Sequence, residues 1–163
     1  MNILGIGPVL AVAGFLGACV IFYIENFFNC HFRLSGVPAE ILFGAGVLLL
    51  VAGVVLWLVS ILQIRRGFPQ GKLLTCGAYS LCRNPLYAAF IIFIAPGIAC
   101  VLDNLLLLLV AWIMYMAFVL LIKKEESFLL EKFGAEYEKY AKTVPLLLPD
   151  IYTMIFGAKR GEK

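Results

Sequence analysis

Residues 41–64 read ILFGAGVLLLVAGVVLWLVSILQI, 24 consecutive positions without Asp, Glu, Lys or Arg. At about 1.5 Å of rise per residue, some 20 residues of helix cross the ~30 Å hydrocarbon core of a bilayer, so this run alone predicts a membrane span. Three further runs of the same kind, 1–24, 86–102 and 104–122, hold 24, 17 and 19 residues. Composition points the same way. Of 163 residues, 63% are hydrophobic and 14% charged, against roughly 25% charged in a soluble domain, and the mean hydropathy is +1.01. A soluble domain of this size cannot hide so much apolar surface, and a disordered chain would need the opposite composition. The expected fold is all-α, a polytopic membrane protein with about four transmembrane helices at 3–24, 41–63, 86–102 and 104–122, in one domain over 1–163.

Only Asp103 and Asn104 separate the last two runs, which predicts a tight helical hairpin. Pro96-Gly97 is expected to kink the third span, a feature membrane helices tolerate when neighbours satisfy the freed carbonyl. Leu16-Gly17-Ala18-Cys19 has the look of a lipoprotein cleavage box. No Lys or Arg precedes it, however, and apolar residues continue to Ile24, so the run reads as a span. Gly14 and Ala18 are then places where a neighbouring helix approaches closely.

Orientation follows from the basic residues. Arg65, Arg66, Lys72 and Arg83 lie in the segment 65–85, and eight more Lys and Arg follow from Lys123 onward; the other side holds only Arg33. That bias puts both termini and the 65–85 segment in the cytosol, of a bacterium or facing it from the endoplasmic reticulum. The net charge of +3 is too small to argue for a nucleic-acid partner. Five cysteines form no CxxC pair and stand beside a single histidine, His31, so neither a metal nor a disulfide framework is expected.

Polar chemistry is confined to 64–87 and 123–150. The first of these segments contains Gly67, Gly71 and Gly77, and its glycines and proline forbid a simple helix and expose backbone N–H groups. It is not a phosphate loop of the Walker type. Gly67 to Gly71 is one residue short, and Leu73 follows Lys72 where Ser or Thr would hold magnesium. Asn84-Pro85 reads as N-cap and first residue of the third span, with Arg83 snorkelling and Tyr79 and Tyr87 as interfacial anchors in the plainest account. In the second segment, Glu125 and Glu126 stand at the end of the fourth span. They are solvated charges if the helix simply runs on, or a site for a cationic group. Leu129, Phe133, Tyr137 and Tyr140 recur at spacings of four, four and three, an amphipathic helix broken at Gly134 and lying on the membrane or over the loop. Pro145 and Pro149 end it, and 158–163 is expected to be frayed.

Taken together, Gly77-Ala78-Tyr79, Arg83-Asn84-Pro85-Leu86-Tyr87, Glu125-Glu126, Phe133-Gly134-x-Glu136-Tyr137-x-x-Tyr140, Val144-Pro145 and Pro149 resemble the isoprenylcysteine carboxyl methyltransferase and phospholipid methyltransferase superfamily. The likeness covers roughly residues 60–152. It implies an integral membrane methyltransferase whose cofactor, S-adenosylmethionine, binds on the cytosolic side. Carried over by position, Gly71, Lys72, Leu73, Leu74, Tyr79, Asn84, Pro85, Leu86, Tyr87 and Glu125 contact the cofactor. Gln63 lies within one residue of a further contact and joins that set. Arg83, Asn84, Tyr87 and Glu126 form the expected catalytic set.

Two departures from the pattern bear on the substrate. The family's Arg-His-Pro stands here as Arg83-Asn84-Pro85, and asparagine cannot titrate. Leu121 occupies the place where prenylcysteine enzymes use an arginine associated with substrate, and leucine cannot pair with a carboxylate. The resemblance therefore implies a small lipophilic acceptor, whether a lipid amine, a phenol or a prenylcysteine-like carboxylate, with the first two favoured. The residues suit the cofactor's chemistry: Glu125 for its ammonium, loop N–H groups or Arg83 for its carboxylate, Leu73 and Leu74 for adenine. Two other readings are open. Arg65, Arg66, Lys72 and Arg83 would suit the phosphates of NADPH in a sterol- or steroid-type reductase. A non-catalytic four-helix scaffold would use the same residues as anchors.

Overall fold

The computed structural model describes residues 5–29, 32–33, 36–67 and 71–147, and all regular structure among them is helical. The expectations for Cys30, His31, Pro149 and the tail 158–163 lie outside the described residues. Helix α1 spans Gly7–Phe28 and α2 spans Ala39–Gly67. A single turn, α3, follows at Ala78–Leu81. Helix α4 covers Pro85–Val101, α5 covers Leu108–Phe133 after a 3-10 turn at Leu105–Leu107, and α6 covers Ala135–Thr143.

Three of these stretches, Gly7–Phe28, Ala39–Gly67 and Leu105–Phe133, are long and apolar enough to cross a membrane, and Pro85–Val101 is a shorter apolar helix. Their outer faces are what a water-soluble protein would bury. Leu120 is 77% exposed, Leu48 72% and Phe15 70%. Exposed apolar side chains in continuous bands need lipid around them, and the chain is a multi-pass membrane protein.

The helices pack in the order α1–α5–α4–α2. Small residues set the close approaches, as expected for Gly14: a Cβ there would lie 2.9 Å from Met114 Sδ on α5. Ala18, half-buried, packs against the same core. Gly46 and Gly97 perform the same service between α2 and α4, where a Cβ on Gly46 would lie 2.9 Å from the Gly97 carbonyl oxygen. The core between α1, α4 and α5 centres on Phe118, Met114, Ile91, Ala88 and Tyr87.

Proline 96 does not break α4. The turns before it widen into a π-helix at Ala89–Ile94, which absorbs the missing N–H inside an otherwise continuous helix. The hairpin at Asp103-Asn104 is as tight as expected. Asp103 takes a left-handed φ of 47°, a conformation Asp and Asn adopt more readily than most residues. The fourth apolar run is the one whose helix extends well past its apolar bounds. Instead of ending near residue 122, α5 continues unbroken to Phe133, where Gly134, at φ 52°, stops it. The resulting bundle brings the start of α1, the ends of α2 and α5, the start of α4, the 71–84 segment and α6 to one end.

Candidate functional site

Inward positions on α5 recur every four residues through Val110, Met114, Phe118 and Ile122, all buried. Glu125 and Glu126 are the next residues on that stripe. The helix runs on, yet the carboxylates are not solvated charges: both are half-buried, because the stripe that packed the core now faces the start of α4 and α6.

Glu125 accepts a hydrogen bond from the Tyr87 hydroxyl, 3.0 Å from Oε2. Tyr87 Oη in turn accepts the Ile6 backbone N–H at 3.2 Å, and its ring lies 5.7 Å from that of Phe118. Glu126 forms an ion pair with Arg83 and accepts from the Tyr137 hydroxyl at 3.2 Å. Arg83 Nε is buried with no hydrogen-bond partner among the described residues.

The 71–84 segment is clipped at two points. Gln63 on α2 donates through Nε2 to the Cys76 carbonyl and accepts the Ala78 N–H through Oε1, each at 3.1 Å. Gly77, at φ 63°, has no room for a Cβ because the Gln63 amide fills that space. At the other end the Arg83 N–H donates to the Pro145 carbonyl at 2.8 Å. Asn84 occupies the N-cap position of α4 as expected, but its side chain does not cap. Its Nδ2 donates instead to the Leu146 carbonyl at 3.0 Å, which ties the start of α4 to the segment after α6.

Helix α6 lies over the loop, the second of the two places its amphipathic stripe allowed. Tyr137, Tyr140 and Val144 pack with Leu73, Leu129 and Phe133, and the Tyr140 hydroxyl donates to the Tyr79 carbonyl at 2.6 Å. Burial raises the Tyr137 phenol to about 12, with the nearby Glu126 charge adding to it. Burial likewise holds Tyr79 and Tyr140 above their ordinary range, with Glu125 contributing at Tyr79. The Cys82 thiol, buried beside them, is pushed up to about 11. All four therefore keep their protons near neutral pH.

These elements surround a cavity of ≈ 530 Å³, within the range of small-molecule sites. Lys72, Leu73, Leu74 and Tyr79 of the loop line it. So do Arg83, Asn84, Leu86 and Tyr87 at the start of α4, together with Glu125. Gln63, Gly71 and Pro85 do not line it: Gln63 is spent on the loop clip, and Pro85 is buried in the first turn of α4. Glu126 stands behind Arg83 rather than at the wall, and Leu121, half-buried on α5, is also away from it.

The apolar walls were not anticipated as site residues. Gly7, Pro8 and Ala11 of α1, Trp57, Ile61 and Ile64 of α2, Phe90 of α4 and Leu129 and Phe133 of α5 line it as well, with Arg65 at the end of α2. No signal in the sequence marks the span residues among them, since a span residue facing a cavity and one facing lipid are equally apolar. Tyr137 and Tyr140 were legible as an amphipathic stripe, and both line the cavity.

No family model matches the sequence, and no solved structure matches it. Two curated proteins do, each a "probable protein-S-isoprenylcysteine O-methyltransferase", one from Oryza sativa subsp. indica and one from Oryza sativa subsp. japonica. Each is 34% identical over 116 residues, covering 65% of this chain. The chain spans 60% of the length of these relatives. The superfamily resemblance read from the motifs is thereby borne out: over 65% of its length this chain is similar to isoprenylcysteine O-methyltransferases.

Proposed function

We propose that this chain transfers a methyl group from S-adenosylmethionine to a lipophilic acceptor at the cytosolic face of a membrane, with α4 completing a four-helix crossing. The observation that carries the reading is the half-buried Glu125 carboxylate at the wall of an otherwise mainly apolar cavity. Its only hydrogen-bonding side chain among the described residues is Tyr87. A carboxylate has about four lone-pair sites, so capacity remains for a cationic group.

The residues present fit the cofactor. Glu125 would hold its ammonium in a charge-assisted pair. Arg83, which lines the cavity and keeps a donor without a partner, would take its carboxylate. Leu73, Leu74 and Phe133 supply apolar surface for adenine. When bound, S-adenosylmethionine supplies a methyl group on a sulfonium, already activated for in-line displacement.

This chain then has to position rather than to activate. Positioning alone is worth up to ~7–11 kcal/mol in the best intramolecular cases. Glu126 holds the Arg83 guanidinium in place with Tyr137 behind it. The walls from Pro8, Ala11, Trp57, Ile61 and Phe90 exclude water and offer an apolar acceptor a lodging between α1 and α2. Asn84 is engaged with Leu146 and cannot titrate, Glu126 is ion-paired behind Arg83 and the Tyr87 hydroxyl already carries its proton, so an amine or phenol acceptor would pass its proton to water. Leu121, where prenylcysteine enzymes carry an arginine, stands away from the cavity and does not choose among a lipid amine, a phenol and a prenylcysteine-like carboxylate.

Calorimetric titration of the detergent-purified chain with S-adenosylmethionine, S-adenosylhomocysteine and NADPH tests the reading. Saturable binding of both adenosyl ligands, lost in a folded Glu125→Ala variant, is the expected result. Binding of NADPH alone would replace it with the reductase, and silence for all three in folded protein would leave a scaffold.

A further inference from the structure

The resemblance begins near residue 60, but the Glu125 carboxylate is approached from the far end of the chain. The turn before α1 sits directly on it. Gly5 has a φ of +49°, and a Cβ placed there would lie 2.6 Å from Glu125 Oε1 and 2.7 Å from the Tyr87 hydroxyl oxygen. The next residue, Ile6, donates its backbone N–H to that oxygen at 3.2 Å. Gly7 and Pro8 then continue along the cavity wall.

The consequence for Tyr87 is directional. Its ring is buried against Phe118, so the phenol has one proton to give and limited freedom in where to aim it. The Ile6 N–H occupies the accepting side of the oxygen, which leaves the proton directed at Glu125, 3.0 Å away at Oε2. A neutral backbone donor, a phenol and a carboxylate thus form one chain of hydrogen bonds, each link orienting the next.

We infer that the Gly5–Ile6 turn is a positioning element of the binding site, which fixes the Tyr87 hydroxyl and through it the Glu125 carboxylate that receives the cationic end of the ligand. This rests on the methyltransferase reading of the cavity. Neither residue touches the ligand in this account. The turn acts through Tyr87, and Gly5 is required because any side chain would displace both oxygens.

The test uses the full-length protein in detergent, with S-adenosylhomocysteine as probe and calorimetry as readout. Ile6→Pro deletes the N–H at a φ of −84°, close to what proline adopts. It should weaken binding roughly tenfold, as expected for loss of a bond supporting a charged group. Ile6→Ala, which keeps the N–H and removes only the packing side chain, should weaken binding much less than Ile6→Pro does. In a Tyr87→Phe background, Ile6→Pro should have a clearly smaller effect, because the oxygen it chiefly acts through is gone.

Should Ile6→Pro fail to fold, Gly5→Ala decides. It retains every donor and forces Tyr87 and Glu125 to move, and it is compared with Gly36→Ala, which imposes a left-handed alanine where nothing lies within 4 Å. Weakening by Gly5→Ala alone supports the inference. Additive losses in the Tyr87→Phe background, or equal losses from Ile6→Ala or Gly36→Ala, would overturn it while leaving the cofactor reading intact. No binding of the probe by the parent protein would remove both.

Discussion

At the end of the bundle away from the cavity, Glu25 on α1 is 3% exposed, and Asn104 Nδ2 donates to both of its oxygens, at 2.8 and 2.9 Å. Asn104 itself is 8% exposed, and its Oδ1 accepts the Leu106 N–H at 3.0 Å. At the cavity end, Glu125 on α5 is more open, has Tyr87 as its side-chain donor and borders a void. Burial alone does not distinguish a carboxylate that holds helices together from one kept for a ligand; the more buried of the two is the cross-link. What separates them is unused accepting capacity beside open space. Glu25 is enclosed by its partner and by the hairpin that carries it, whereas Glu125 has lone pairs facing a cavity with apolar walls.

The sharpest way to break that comparison lies at the Glu25 end. Asn104→Leu strands the Glu25 carboxylate in the interior and should cost about 3 kcal/mol, the penalty of a buried charge without its donor. Denaturant titration in detergent measures it. Affinity for S-adenosylhomocysteine should stay within about twofold, since distant sites act independently. A loss of binding comparable to that of Glu125→Ala would mean that the two ends are one functional unit.

A smaller effect is expected from the roof of the open end. Tyr140→Phe removes the 2.6 Å bond to the Tyr79 carbonyl and should lower stability by about 1–2 kcal/mol. Because that bond fastens α6 over the loop, ligand affinity should fall with it, in contrast to the Asn104 variant. Thermal melting and calorimetry on the same sample separate the two responses.

The alkaline limb of stability sharpens the picture further. The folded state holds the Tyr137 proton up to about pH 12, against 10.0 for a free phenol. Its contribution is therefore complete below pH 10 and drains away as pH rises from 10 toward 12, where the unfolded chain already carries a phenolate. Tyr137→Phe should lose this share of the limb while Tyr79, Tyr140 and Cys82 keep theirs, a difference of roughly 1–2 kcal/mol at the alkaline end. Denaturant midpoints compared at pH 9 and 11.5 would show it, and parallel curves for the two proteins would refute it.

The least perturbing experiment only labels the protein. Cys76 is exposed on the loop, whereas Cys82 is 1% exposed with its thiol raised to about 11. A membrane-impermeant maleimide should modify Cys76 and spare Cys82. In sealed vesicles Cys76 should react only from the cytosolic side; reaction from the opposite side would invert the orientation read from the basic residues.

Much of this arrangement is legible in the sequence. The uncharged runs located four apolar helices, and the two-residue gap at Asp103-Asn104 located their hairpin, because the length of a span and the cost of burying charge are properties of short stretches. The polar motifs of 71–87 and 125–140 were legible as one site for a similar reason: polar groups at the ends of spans have few uses. Glu25 and the walls from Trp57, Ile61 and Phe90 were not. Glu25 falls one residue past an uncharged run, where a solvated end is the ordinary expectation, and its burial depends on Asn104, 79 residues away. The wall residues carry no mark because lipid and cavity select the same side chains.

By itself the sequence determined the membrane class, the helical periodicity, the bias of basic residues and the set of polar side chains available at one end. Tertiary structure alone decided how those side chains were spent. It set Gln63 to clip the loop, turned Asn84 toward Leu146, stood Glu126 behind Arg83 and brought Gly5 and Ile6 onto Tyr87. The physical reason is that hydrogen bonds and ion pairs act over about 3 Å. Which donors meet which acceptors is settled only when helices far apart in the chain pack side by side.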